Sequence, residues 1–183
     1  MNNNSESSWK TLSSTVVHRN RWFTVRQDVV TRPDGERGEY NVVERPDSVF
    51  IVPLDEAGRV RLIGLHRYPT GVYSLEIPAG GGDGQDPFVA AKRELREETG
   101  LVAEEWLLLG RIQCANAVQN GFGHVFLATG LTETDEHEQE AEGITEQRWV
   151  PLPRALEMVL AGEITDSQSI TALSLAALHL RAL

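Results

Sequence analysis

The sequence predicts an α+β fold from three observations. Short runs of β-branched and aromatic residues are mixed with helical segments without a regular βαβ alternation. One strongly signalled helix follows a glycine-rich loop. The length of 183 residues suits one ordinary core of this kind.

Residues 1–8 are polar and predict a frayed tail. Between Ser14 and Arg45, apolar and polar residues alternate around the turn Pro33-Asp34-Gly35, which predicts an antiparallel hairpin or meander. We therefore expect a β extension over 9–46, suited to dimerisation, and a main domain over 47–183. Ser48–Leu54 and Val60–His66 read as strands joined by Asp55-Glu56-Ala57-Gly58, and Val72–Ile77 as a third. The segment from Pro78 to Gln85 is so rich in glycine that it predicts an irregular loop open to close backbone approach. A helix over Pro87–Thr99 follows, with Asp86 as N-cap, Pro87 in its first turn and Gly100 at its left-handed exit. Trp106–Ile112, His124–Thr129 and Gln147–Val150 read as strands. Pro153–Ala161 and Ser167–Leu183 carry helical spacing, and Glu133–Glu146 is an acidic loop.

Composition excludes some functions. Seventeen basic against 27 acidic side chains leave a charge of −10, which argues against a nucleic-acid surface. No apolar run reaches the ~20 residues of a membrane span. A single cysteine, Cys114, and an N-terminus without an apolar stretch point to the cytoplasm. Cys114 reads as buried filler, His66 and His124 as packing or hydrogen-bonding groups at strand ends, and Trp22, Trp106 and Trp149 as core.

The chemistry concentrates on the predicted helix. At about 100° per residue, Glu97 and Glu98 lie within about 60° of Glu94 on either side, beside the apolar stripe of Phe88, Ala91 and Leu95. Like charges so spaced repel, and the arrangement is favoured when a cation sits among them. Oxygen ligands of this type suit Mg²⁺ first and Mn²⁺ or Ca²⁺ after it. Spacing alone leaves a solvated acidic face, balanced by Lys92, Arg93 and Arg96, equally open.

The order of residues shifts that balance. The string Arg93-Glu94-Leu95-x-Glu97-Glu98-x-Gly100-Leu101, preceded by Gly80-Gly81-Gly82-x-Gly84-Gln85, resembles the signature of the Nudix hydrolases. The second half matches at every specified position. In the first half, Gln85 stands where the family carries Glu, and the loop is one residue shorter counted from Gly80. Ser74–Gly80 (SLEIPAG), Arg67-Tyr68-Pro69 and Arg148–Leu152 (RWVPL) are similar to the ADP-ribose pyrophosphatase branch and follow in its order.

The resemblance implies an α/β/α sandwich around a mixed sheet, a homodimer formed with the N-terminal extension, and a small nucleoside-diphosphate substrate, with neither nucleic acid nor membrane as partner. It implies hydrolysis of a diphosphate, with Glu94, Glu97, Glu98 and the Ala79 carbonyl as ligands of Mg²⁺ or Mn²⁺, and with Arg93 orienting a catalytic carboxylate. The acidic loop would add a catalytic carboxylate, Glu142 before Glu140. Arg67, Gly80 and Gly81 would meet the substrate, and residues 116–123 occupy the place of a recognition loop. ADP-ribose is the first candidate substrate, GDP-mannose and other nucleotide sugars come next, and a non-catalytic nucleotide-binding module is the alternative from another class.

Overall fold

The structure is a computed structural model that describes residues 8–82 and 84–181. The expected frayed tail, except for Ser8, lies outside the described residues. The chain divides into two compact units, Met1–Pro46 with Ala115–Gly121, and Asp47–Cys114 with Phe122–Leu183.

The first unit is an antiparallel sheet of β1 (Lys10–Arg19), β2 (Thr24–Thr31) and β3 (Arg37–Glu44), in that order. The β2–β3 turn is the Pro33-Asp34-Gly35 turn expected from sequence, with Gly35 at φ 88° and Asp34 accepting the Glu36 amide. The β1–β2 turn was not anticipated. The Asn20 side-chain carbonyl accepts the Trp22 and Phe23 amides at 2.8 and 2.9 Å, an Asx turn inside an otherwise strand-like run. Trp22 consequently lies on a turn and is 61% exposed, which corrects its reading as core. Residues 115–121 join this unit, with Val43 N–H donating to the Val118 carbonyl and the Tyr40 hydroxyl to that of Ala117.

The second unit contains two sheets. One is mixed, ordered β7 (Ala79–Gly81), β4 (Ser48–Pro53), β9 (Phe122–Glu133), β8 (Leu101–Gln113), with β4 and β9 parallel and the other pairs antiparallel. The other is antiparallel, ordered β10 (Ile144–Pro151), β5 (Arg59–Arg67), β6 (Val72–Glu76). Strand β4 is buried along its whole length because both of its faces are covered. Val49 and Ile51, with Phe126 and Ala128 of β9, pack on Ala90, Ala91 and Leu95 of α1 (Pro87–Thr99). Phe50 and Val52, with Val125 and Leu127, pack toward Ala155 and Met158 of α2 (Leu152–Leu160) and Ala172, Leu173 and Ala176 of α3 (Ser167–Arg181). This is the expected α/β/α sandwich. Each large apolar side chain so buried contributes roughly 1.5–3 kcal/mol.

Three details differ from the sequence reading. Ala79–Gly81 is a short strand on β4, since Gly80 and Gly81 pair with Val49 and Ser48 where glycine alone signalled a loop. Strands β8 and β9 are longer than their apolar cores, and β8 starts at Leu101 directly after the helix cap. Phe88 stands at the margin of the α1 stripe, 39% exposed and edge-on to Trp106. Cys114 is partly buried against the larger core, as expected.

Candidate active site

Helix α1 places the acidic face. Asp86 caps it by accepting from the Phe88 and Val89 amides, Pro87 fills its first turn, and Gly100 closes it at φ 68°. The apolar contacts of Ala90, Ala91 and Leu95 with β4 and β9 fix its rotation, and that rotation turns Glu94 and Glu98, one turn apart, inward. Glu94 is 8% exposed and Glu98 4%, so they are not a solvated face.

The glycine strand β7 and its approach form the opposite wall. The Ala79 amide donates to Glu98 Oε2 at 2.7 Å. Any Cβ on Gly80 would fall inside the Glu94 carboxylate, so this close approach of backbone to acid requires glycine. Arg93 links the parts, donating to the Gly81 carbonyl at 3.0 Å and pairing with Glu94 and Glu97 at 2.8 Å each. Its Nε lies 3.5 Å from Gln85 Oε1, a long contact from the residue that departs from the signature.

Burial pushes the Glu94 carboxyl up to about 7; Arg93 opposes the rise, and the charges of Glu97 and Glu142 add to it. Burial pushes Glu98 up to about 8; the Ala79 amide opposes, Glu94 adds, Arg67 opposes and Glu142 adds again. The charge of Glu142 is thus felt by both buried acids. The acidic loop is tied to the helix end by the Glu138 amide, which donates to the Glu97 carbonyl at 2.8 Å.

A pair of buried carboxylates whose proton affinity is raised by burial suits a hard cation that would displace their protons. Among the described residues, no three His, Cys, Asp or Glu side chains are grouped closely enough to hold an ion by themselves. The buried carboxylates Glu94 and Glu98 are hard oxygen donors of the type that suits a divalent cation completed by water or substrate oxygens. Glu94, Glu97, Glu98, Arg93, Ala79, Gly80 and Gly81 are all brought together. The part of Ala79 seen against the acids is its N–H, whereas sequence reasoning had singled out its carbonyl.

Arg67, expected to meet the substrate, is held in place by an acid. It is clamped by Glu76, with Nε and Nη2 at 3.0 and 2.6 Å from the two carboxylate oxygens. Hydrogen bonding to Glu76 holds the guanidinium above its ordinary pKa despite burial, with Glu98 and Asp166 adding to the effect. Sequence reasoning missed Glu76, although an acid ending the apolar strand Val72–Glu76 was a usable signal. It also missed Asp47, which accepts the Gly82 amide with its carbonyl and pairs with His124 Nε2 at 2.8 Å. His124 is thus the hydrogen-bonding group it was read as, and His66 packs edge-on against Tyr73.

Comparison with known proteins fits this geometry. Residues 9–43 match the family described as nucleoside diphosphate sugar hydrolase N-terminal domain, and residues 44–172 match the NUDIX domain. The chain is 36% identical over 170 residues to an ADP-ribose pyrophosphatase of Mycobacterium tuberculosis, covering 90% of this chain and 81% of that one. It is 32% identical over 160 residues to a CMP-5'-(N-acetyl-N-hydroxy-3-aminopropyl)phosphonate hydrolase of Streptomyces rubellomurinus, covering 87% and 77%. A crystal structure of an ADP compounds hydrolase superposes with a TM-score of 0.84 at 26% identity, over 96% of each chain.

Proposed function

The chain belongs to the NUDIX family as a pyrophosphohydrolase, and from that premise we propose that it cleaves the diphosphate of ADP-ribose with water, giving AMP and ribose 5-phosphate. The observation that carries the reading is the buried pair Glu94 and Glu98, facing the glycine strand, with Glu98 accepting the Ala79 amide and the Glu94 carboxylate against Gly80. Similarity to proteins named ADP-ribose pyrophosphatase in Mycobacterium tuberculosis and Bacillus subtilis supports this choice of substrate.

Nudix hydrolases generally use divalent ions. Here Glu94, Glu97, Glu98 and the Ala79 carbonyl would hold Mg²⁺, or Mn²⁺ in its place. When bound, the ion supplies positive charge to the diphosphate oxygens and makes water a better nucleophile. The side chains do the rest. Arg93 fixes Glu97 and Glu94 against the Gly81 carbonyl, so the carboxylates are oriented before substrate arrives. Gly80 and Gly81 leave a wall without side chains along which the diphosphate can lie. Arg67, held by Glu76, adds fixed positive charge on the same side as Glu98. Glu142 accepts the proton of the water whose oxygen bonds to phosphorus as the bridging P–O bond breaks.

The assembly we propose is a homodimer formed with the N-terminal sheet, and the compartment the cytoplasm. Among the described residues, no helix is long and apolar enough to cross a membrane.

The test is incubation of purified full-length chain with ADP-ribose and Mg²⁺, with chromatographic detection of AMP and ribose 5-phosphate and GDP-mannose run in parallel. Release of both products supports the reading. Turnover of GDP-mannose in preference to ADP-ribose, or binding without turnover of either, overturns it.

A further inference from the structure

Three consecutive residues carry the chain from β6 into the glycine strand, and each has a backbone group held by a specific partner. The Pro78 carbonyl accepts the Ile51 amide of β4 at 2.9 Å. The Ala79 amide donates to Glu98 of α1 at 2.7 Å. The Ile77 amide donates to Ser169 Oγ at 3.1 Å. The last partner belongs to α3, which packs on the opposite face of the mixed sheet from the acidic helix.

Ser169 is set up to accept. Its hydroxyl donates to Asp166 Oδ2 at 2.7 Å, and its own amide donates to the same oxygen at 2.7 Å. With its proton committed to Asp166, the hydroxyl presents a lone pair to Ile77. Ser169 is 1% exposed and Ile77 0%, so water cannot replace the bond. Asp166 caps the start of α3 through the same carboxylate and adds to the field around Arg67, which also feels Glu98. The helix start and Glu98 are therefore linked by the Ser169–Asp166 and Ile77–Ser169 hydrogen bonds, the covalent step from Ile77 through Pro78 to Ala79, and the Ala79–Glu98 hydrogen bond.

We propose that Ser169, oriented by Asp166, is a positioning residue for the hydrolysis: it holds the Ile77 peptide and thereby sets the Ala79 amide that fixes Glu98. The proposal deepens the hydrolase reading and rests on it. An alanine at this position keeps helix propensity and removes the hydroxyl, and with it both the acceptor for the Ile77 amide and the donor to Asp166. The Ile77 amide then has no partner in a dry site, and the strand approach shifts to find one. Because a displacement of about 1 Å can cost about a hundredfold in rate, a remote shift of this kind registers in kcat.

The experiment compares the full chain with Ser169→Ala, with Ser169→Cys, which keeps the volume and a weaker acceptor, and with Leu175→Ala, which removes packing from the same helix without touching the linked bonds. Two readouts are taken on each: steady-state kinetics on ADP-ribose with Mg²⁺, and amide hydrogen exchange of Ile77 and Ala79 without metal or substrate. Expected are a kcat about tenfold or more lower in Ser169→Ala, with KM within about threefold, and a smaller loss in Ser169→Cys. Exchange at Ile77 and Ala79 is faster in both, while Leu175→Ala melts lower yet keeps its kcat and the protection of both amides. Unchanged protection of Ile77 and Ala79 in Ser169→Ala overturns the proposal whatever the activity. So does an equal kcat loss in Leu175→Ala, which would assign the effect to helix stability. Should Ser169→Ala not fold, Ser169→Cys decides by the same two readouts. Absence of turnover in the parent chain would refute the hydrolase reading alone and leave the exchange comparison standing.

Discussion

The Ala79 amide donates to the Glu98 carboxylate at 2.7 Å, which binds the start of the glycine strand to the last turn of the acidic helix. This is the only direct hydrogen bond from the protein to Glu98 among the described residues, set against almost complete burial and the neighbouring charges of Glu94 and Glu142. One amide does not balance those costs, and the carboxyl is pushed up to about 8.

Stability of the metal-free chain should therefore fall with rising pH. Glu94 and Glu98 have folded values near 7 and 8, against 4.5 for an ordinary glutamate. Folding retains their protons, so their contribution is fully present below about 4.5 and is lost as pH rises through 7 to 8. Thermal melts in chelator should drop between pH 6 and pH 9, and Mg²⁺ should restore more stability at pH 9 than at pH 6. A melting temperature flat across that interval in chelator contradicts the assigned burial.

Gly80→Ala should fold and lose activity. The added methyl group takes the volume that the Glu94 carboxylate occupies, so the side chain must rotate away from the glycine strand. Overpacking of this kind costs about 1–3 kcal/mol in stability, and the displaced acid should lower kcat by at least about tenfold. Denaturant titration and kinetics on one preparation measure both.

Arg67→Ala should destabilise the chain out of proportion to a surface change. Glu76 is 5% exposed and would keep a buried charge without its two-point partner. Removing one member of such a pair costs about 2–5 kcal/mol, and the low end applies because Arg67 itself is 43% exposed. Glu76→Gln combined with Arg67→Ala should recover part of the loss, and a urea-unfolding double-mutant cycle detects that recovery.

Glu142→Gln should slow turnover while Glu140→Gln should not. Both residues lie on the acidic loop, and the charge of Glu142 is felt by the two buried acids. Loss of a proton acceptor lowers kcat by about a hundredfold or more. Equal rates for the two variants would remove Glu142 from the mechanism.

The helix and its acids were legible in the sequence because their signals are local. Asp86, Pro87 and Gly100 mark the ends of α1, and the spacing of Glu94, Glu97 and Glu98 sets their face. The split within that trio was not legible. Glu97 pairs with Arg93 and stays partly exposed while Glu98 is buried, because the packing of Leu95 on two strands distant in sequence sets the rotation of the helix. Glycine content hid β7, which exists through long-range pairing with Ser48–Phe50 and not through propensity. Asn20 hid a turn inside a strand-like run. Ser169 looked like one more small residue of a helix, since its acceptor role depends on Ile77, 92 positions away.

In the proposed metal-assisted cleavage Glu98 acts as a buried carboxylate, and its charge and hydrogen bond to Ala79 are central to it. Turnover of ADP-ribose by Glu98→Gln under saturating Mg²⁺, measured beside the thermal melt of the same sample, tests that directly. A fall in kcat of at least about a hundredfold, with the metal-free melt at neutral pH equal to or above that of the parent, is the expected result. A folded Glu98→Gln chain that turns over at the parent rate contradicts it.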